Sequence, residues 1–190
     1  MKLTSEQIVQ NWERLINVIE TEFTGERKDK LLSMYKDLEE RMCMAPASSF
    51  SHYHNCMPGG YVDHVLRVIE CAQEVYDLWT RMGADMSGYT KQELIFVALN
   101  HDIGKMGFPG EGNEIYQPND SEWHRKNLGK EYKINPNNPF TLVNDLSIWL
   151  LQHYGISITW NEMLGIKLTD GLYDESNKPY FISRTADSKL

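Results

Sequence analysis

Three times along the chain a threonine is followed, three residues later, by glutamine or glutamate: Thr4-x-x-Gln7, Thr90-x-x-Glu93 and Thr159-x-x-Glu162. At this spacing the hydroxyl accepts the N–H of the third helical residue, and the longer side chain reaches back to the threonine N–H. Each pair therefore marks a helix start. After Thr4, residues Ile8, Trp12, Leu15, Ile16, Ile19 and Phe23 share one face, and Gly25 ends the helix. A second helix is expected from Glu26 to about Met44, stopping before Pro46. Residues 45–60 read as a loop punctuated by Pro58-Gly59-Gly60.

The third predicted helix runs to about Met82, with Val65, Leu66, Val68, Ile69, Ala72, Val75, Leu78 and Trp79 facing inward. The Thr90 signature opens a buried helix through Leu94, Ile95, Val97, Ala98 and Leu99. Residues 104–120, with their glycines and prolines, read as an irregular loop, and Ser121 to about Lys130 as a short helix. Asn138-Pro139 has the form of an N-cap followed by proline at the first helical position, and that helix is expected to end at His153-Tyr154-Gly155. The Thr159 helix should reach Asp170, leaving a polar, partly extended tail over 174–190. No segment alternates with the period of a strand, so the expected fold is all-α.

With 190 residues, 41% of them hydrophobic and 24% charged, the chain suits one globular domain with a real core. There is no apolar run of about 18 residues, so no membrane span is expected. The opening Met1-Lys2-Leu3-Thr4-Ser5-Glu6 lacks a secretory apolar stretch, which makes the cytoplasm the expected location. Cys43, Cys56 and Cys71 show no Cys-x-x-Cys spacing and read as reduced thiols. A net charge of −8 disfavours a broad nucleic-acid-binding face and leans toward a small phosphorylated substrate or a short strand end.

The chemistry concentrates in histidines and aspartates placed at helix ends. His101-Asp102 closes the Thr90 helix and offers a neutral nitrogen and an anionic oxygen side by side. His64 lies in the first turn of its helix, His124 on the short helix, His153 at a helix end and Asp170 near the end of the last helix. Helices converging on one polar centre are how bundles build metal sites. Four imidazoles and two carboxylates suit one or two divalent ions, Mn, Fe, Co, Ni or Zn, with Mg a further candidate. Asp102, with two oxygens, is placed to bridge two ions. Asp63 is a rival to its neighbour His64, but it lies about 100° round the helix and is expected to point elsewhere.

The pattern His64…His101-Asp102…Asp170 resembles the HD-domain metal-dependent phosphohydrolase superfamily over roughly residues 50–173. The stretch His54-Asn55-Cys56-Met57-Pro58-Gly59-Gly60-Tyr61-Val62-Asp63-His64 resembles the His-His-x-x-x-Gly-Gly-x-x-x-His segment of its 3′–5′ exoribonuclease branch. Leu150-Leu151-Gln152-His153-Tyr154-Gly155 is similar to that branch's Ser-His-His-Gly segment. Asn55 and Tyr154 replace second histidines of those segments, which directs the expectation to a nucleotidase, deoxynucleotide triphosphohydrolase or phosphodiesterase acting on a nucleotide.

The resemblance implies an HD-like helical bundle with a metal centre between helices, formed as a single domain. The helices of residues 4–44 would pack on its metal-binding core. It implies metal ligation by His64, His101, Asp102, His124, His153 and Asp170. A lysine at the place of Lys105 points into the pocket of similar proteins, where it would offset phosphate charge. Arg67, one turn beyond His64, is a candidate phosphate clamp, and His54 a candidate substrate contact or proton donor to the leaving group. Tyr61, Tyr116, Trp123 and Tyr154 are candidates to stack on a base. The same ligand layout also resembles mixed-valent di-iron oxygenases, and a non-catalytic nucleotide- or partner-binding module is the third reading.

Overall fold

The computed structural model describes residues 2–183. In chain order its elements are α1 (Ser5–Glu22), α2 (Gly25–Asp37), α3 (Glu39–Met44), α4 (Gly60–Arg81), α5 (Lys91–Asn100), β1 (Tyr116–Pro118), α6 (Glu122–Leu128), β2 (Tyr132–Ile134), α7 (Val143–His153) and α8 (Trp160–Lys167). The chain is mostly helical, with short 3₁₀ turns between some helices. Two compact units divide the described residues. The first takes the residues up to Arg67 together with Lys105–Thr141; the second takes Val68–Gly104 and the residues from Leu142 onward.

In the first unit α1 begins as its sequence dictates. Thr4 and Gln7 form both bonds of the capping box. The apolar stripe of α1 then buries Leu15, Ile19 and Phe23 as α1 packs on α2 and α3. Trp12 stacks on Tyr35, with ring centroids 6.4 Å apart. Tyr35 is fully enclosed, and burial pushes its hydroxyl well above the usual phenol range. The expected helix from Glu26 to Met44 is broken: Leu38 leaves helical geometry at φ −102°, ψ 3°, and α3 restarts after it. Leu38 is itself buried, so the apolar period runs through the break and hides it from a reading of periodicity.

The all-α expectation needs one amendment. Tyr116–Pro118 pairs antiparallel with Tyr132–Ile134, with Gln117 opposite Lys133. Strands of three residues are too short to display a period. Nor does Asn138 cap a helix. Its amide donates to the carbonyls of Asn113 and Glu114 at 2.9 and 3.1 Å, and α7 starts only at Val143. A bond to a distant segment has taken the side chain that the local rule assigns to a cap.

In the second unit α8 packs on α5 and on α7 around Phe96, Leu99, Leu150, Leu151, Leu164 and Ile166. Along α4, Val65, Leu66 and Ile69 are buried as expected. Val75, Leu78 and Trp79 were expected inward but are 45%, 44% and 49% exposed. Helical spacing finds an apolar stripe but not how far the covering elements extend along it. Helix α8 ends at Lys167, short of Asp170, and Glu175–Asn177 and Pro179–Ser183 form a 3₁₀ and a π turn where a partly extended tail was expected. Residues 184–190 of that tail lie outside the described residues.

The other two capping boxes also form, and they share a carboxylate. The Thr159 hydroxyl accepts the Glu162 N–H and donates to Glu93 at 2.7 Å, while Asn161 donates to the same Glu93 oxygen at 3.3 Å. Burial works to raise the Glu93 carboxyl. The bonds from Thr90, Thr159 and Asn161 outweigh it and hold the group below the usual carboxylate range. A depressed carboxylate stabilises the fold above its unfolded value of about 4.3, and that contribution is lost as pH falls through the lower, folded value. Glu93→Ala removes these partly solvent-screened bonds and is expected to cost roughly 1 kcal/mol near pH 7. The gap between variant and wild type should narrow as acid protonates the carboxyl. Urea denaturation across pH checks both points, and a gap independent of pH would contradict the assignment.

Candidate metal centre

The second unit positions the His-Asp pair through the end of α5. Ile95, Phe96, Ala98, Leu99 and Asn100 are buried, so the last turn is gripped on most sides. Asn100 ties its amide to the Phe96 carbonyl at 2.9 Å. The His101 backbone N–H donates to the Val97 carbonyl, making His101 the C-cap. Its ring nitrogen Nδ1 lies 2.9 Å from the Ala98 carbonyl oxygen. A carbonyl only accepts, so Nδ1 carries a proton, and Nε2 is the nitrogen that can offer a lone pair to a metal ion. Metal-ligating histidines commonly show this arrangement, the outer nitrogen fixed by a backbone carbonyl.

Directly after the pair, the chain is pinned to α7. The Gly104 N–H donates to the Ser147 hydroxyl at 2.9 Å, and that hydroxyl has the carbonyls of His101 and Val143 at 3.0 and 2.9 Å to donate to. The approach requires glycine. A Cβ on residue 104 would stand 2.1 Å from the Val143 oxygen and 2.9 Å from the Ser147 nitrogen. Both Ser147 and Gly104 escape a sequence reading focused on ligand types. The glycine two residues after Asp102 was the available signal.

In the first unit, the loop before α4 sets His64. Asn55 adopts φ +51°, and its amide donates to the Gly60 carbonyl at 3.1 Å and to Asp63 at 2.9 Å. Gly60 is needed because a Cβ there would meet the Asn55 oxygen at 2.0 Å. Arg67 pairs with Asp63 at 3.0 Å. Asp63 is thus held by Asn55 and Arg67. The ring of His54 lies 4.7 Å from that of His64, tilted by 42°.

His64, His101 and Asp102 each offer a ligand atom, and these atoms lie within 4.8 Å of one another. Within the pair, His101 Nε2 and an Asp102 oxygen are 3.3 Å apart. Two lone-pair donors at that separation repel unless a cation, a metal ion or the proton of an imidazolium, lies between them. Ligands bound about 2.1 Å from one ion stand about 3.0 Å apart in an octahedral and about 3.4 Å apart in a tetrahedral arrangement, so the spacing fits a shared divalent ion. Two imidazoles and a carboxylate are the donor set of a transition metal rather than of calcium.

The other predicted ligands stand outside this group of three. His124 is exposed on α6, with its ring edge-on to Trp123. His153 is exposed at the end of α7, stacked flat on Trp149 at 5.0 Å. Asp170 is exposed just before the 3₁₀ turn Gly171–Tyr173. The Lys105 ammonium donates to the Ala47 carbonyl at 2.8 Å. Tyr61 is fully buried and has no ring face to offer a base. The three cysteines are free, and burial raises the thiols of Cys43 and Cys56, which keeps them protonated. No helix among the described residues is long and apolar enough to cross a membrane.

Comparison with known proteins finds no family model that matches the chain, no curated relative and no similar solved structure. The protein is largely helical, and among its described residues His64, His101 and Asp102 form a group that could hold a metal ion.

Proposed function

We propose that this chain is a metal-dependent phosphohydrolase that cleaves a phosphate ester or anhydride of a nucleotide or of a short nucleic-acid end. The observation that carries the reading is the convergence of His64, His101 and Asp102. The resemblance of their sequence context to HD-domain phosphohydrolases supports it, and a net charge of −8 weighs against a broad nucleic-acid-binding face.

In this reading His64, His101 and Asp102 hold the ion, and His124, His153 and Asp170 are the sequence-derived candidates for further ligands. A bound divalent ion lowers the pKa of its water and polarises a phosphoryl oxygen. The protein's own groups do the rest. The Ala98 carbonyl keeps the His101 ring in the tautomer that turns its lone pair toward Asp102. Lys105 exchanges its bond to Ala47 for a phosphate oxygen, and Arg67, 70% exposed beside Asp63, supplies a second positive charge. His54, in ring contact with His64, gives a proton to the leaving oxygen.

The test is incubation with Mn²⁺ and a panel of ribo- and deoxynucleotides, cyclic dinucleotides and short oligonucleotides, with products separated by chromatography. Turnover of at least one class is expected, falling to background in Asp102→Ala. Absence of any Asp102-dependent cleavage overturns the proposal.

A further inference from the structure

A second feature lies next to His54 in the chain, and neither the ligand set nor the phosphate-handling residues account for it. Phe50, His52 and Tyr53 form an aromatic cluster on the loop that leads to His54. The ring centroids of His52 and Tyr53 are 4.5 Å apart, those of Phe50 and His52 5.3 Å, and those of Phe50 and Tyr53 5.7 Å. His52 and Tyr53 are exposed, Tyr53 by 58%. The ring planes of His52 and Phe50 meet that of Tyr53 at 59° and 73°, so neither neighbour lies flat on the tyrosine. His153, by contrast, is covered flat by Trp149 at 18°.

The loop is firmly built. The Ser51 N–H donates to the Gly129 carbonyl at 2.7 Å, the Tyr132 N–H to Ser49 at 3.1 Å and the Tyr53 N–H to Phe50 at 3.0 Å. The Ser48 hydroxyl fixes the His54 carbonyl at 2.7 Å. Phe50 forms a bridge with Lys130, whose ammonium stands 5.9 Å from the Phe50 ring centre. Exposed aromatic rings on an ordered loop, with a cation at their side, present a surface suited to a flat, electron-rich, anionic ligand.

Residues 53 and 54 are consecutive, with Cα atoms about 3.8 Å apart, and the His54 ring touches that of His64. We infer that the Phe50–His52–Tyr53 cluster is a stacking platform for the base of a nucleotide whose phosphate lies toward His54 and His64. This inference deepens the phosphohydrolase reading, and rests on it only for the fate of the phosphate. It assigns the substrate class as base-bearing rather than as a sugar phosphate or inorganic polyphosphate. Stacking reads the π-face alone, so the platform selects for a base without choosing among bases.

The probes are adenosine monophosphate and ribose 5-phosphate, which differ by the base. Each is titrated into the full chain with chelator present, so that metal-dependent turnover does not compete, and ring-proton shifts of His52 and Tyr53 are followed by NMR. The monophosphate should bind about 10-fold more tightly than the sugar phosphate, consistent with the loss of one stacked base. It should also shift both rings upfield. Tyr53→Ala should erase the preference, and Tyr53→Phe, which keeps the ring, should retain it. Tyr53 is exposed, and the bond it makes in its turn is through the backbone, so neither variant removes a core contact. Equal affinity for the two probes, binding of neither, or a preference that survives Tyr53→Ala overturns the platform. Base preference without Asp102-dependent cleavage would keep the platform and sink the phosphohydrolase reading; cleavage without base preference would do the reverse.

Discussion

Asp102→Asn is expected to leave the metal-free protein as stable as wild type while removing its response to metal. In the metal-free protein an Asp102 oxygen stands 3.3 Å from His101 Nε2. An amide of the same shape in its place can still hydrogen-bond that nitrogen, so the substitution changes stability by at most about 1 kcal/mol. With metal the order reverses. Losing even an outer-shell partner of a ligand costs 10- to 100-fold in affinity, so losing the ligand itself should cost about 100-fold or more. At a metal concentration 100 times the wild-type dissociation constant, the wild type gains about 2.7 kcal/mol. The variant at the same concentration gains about 0.4 kcal/mol. Urea unfolding of both proteins with and without Mn²⁺ or Zn²⁺ reads this directly. Equal metal-induced shifts in the two proteins would remove Asp102 from the ligand set.

The second large effect is expected at a residue that offers no ligand atom of its own. Gly104→Ala would place a methyl group 2.1 Å from the Val143 oxygen and 2.9 Å from the Ser147 nitrogen. Both obstructing atoms belong to backbone, so no change of rotamer relieves the overlap. Either α7 or the segment after Asp102 must move, breaking the Gly104–Ser147 bond and leaving the His101 carbonyl with a displaced partner. Overpacking of this kind costs about 3 kcal/mol. Because the same bond fixes the backbone at His101, metal affinity should fall together with stability. Thermal unfolding and metal titration on one preparation test the coupling. A variant within 1 kcal/mol of wild type, or destabilised with unchanged metal binding, would show that the Gly104–Ser147 contact does not position the pair.

The parts of this protein that were legible in its sequence are those decided within a few residues. All three threonine signatures form their reciprocal caps, because both partners lie inside one turn. Asp63 turned from the ligand group for a reason visible in helical geometry, and His101-Asp102 stands at the end of α5 as its apolar run required. Features that depend on distant partners were not legible. Leu38 breaks a helix whose apolar period continues across the break. The Asn138 amide serves carbonyls at residues 113 and 114 rather than a helix start. The far half of α4 carries core-like spacing without a core to enter. In the site the same division holds. Residue types that bind metal announce themselves, whereas Gly104, Ser147 and Asn55 act on partners that only the fold brings near.

The segment that follows the ligand pair, irregular to a periodicity reading, is held by side chains rather than by secondary structure. The Arg41 guanidinium donates to the carbonyls of Met106, Phe108 and Gly110. Asn113 bonds the Pro109 carbonyl, and Asn135 the carbonyls of Gly112 and Glu114. A guanidinium presents its N–H donors in one rigid, planar fork, so a single side chain holds three carbonyls of the segment at once. The segment therefore loses its conformational freedom when the chain folds, not when a ligand arrives. Ordering a loop at the moment of encounter subtracts from affinity and slows capture; here that entropy is already spent, and an incoming molecule meets a surface with its shape settled in advance.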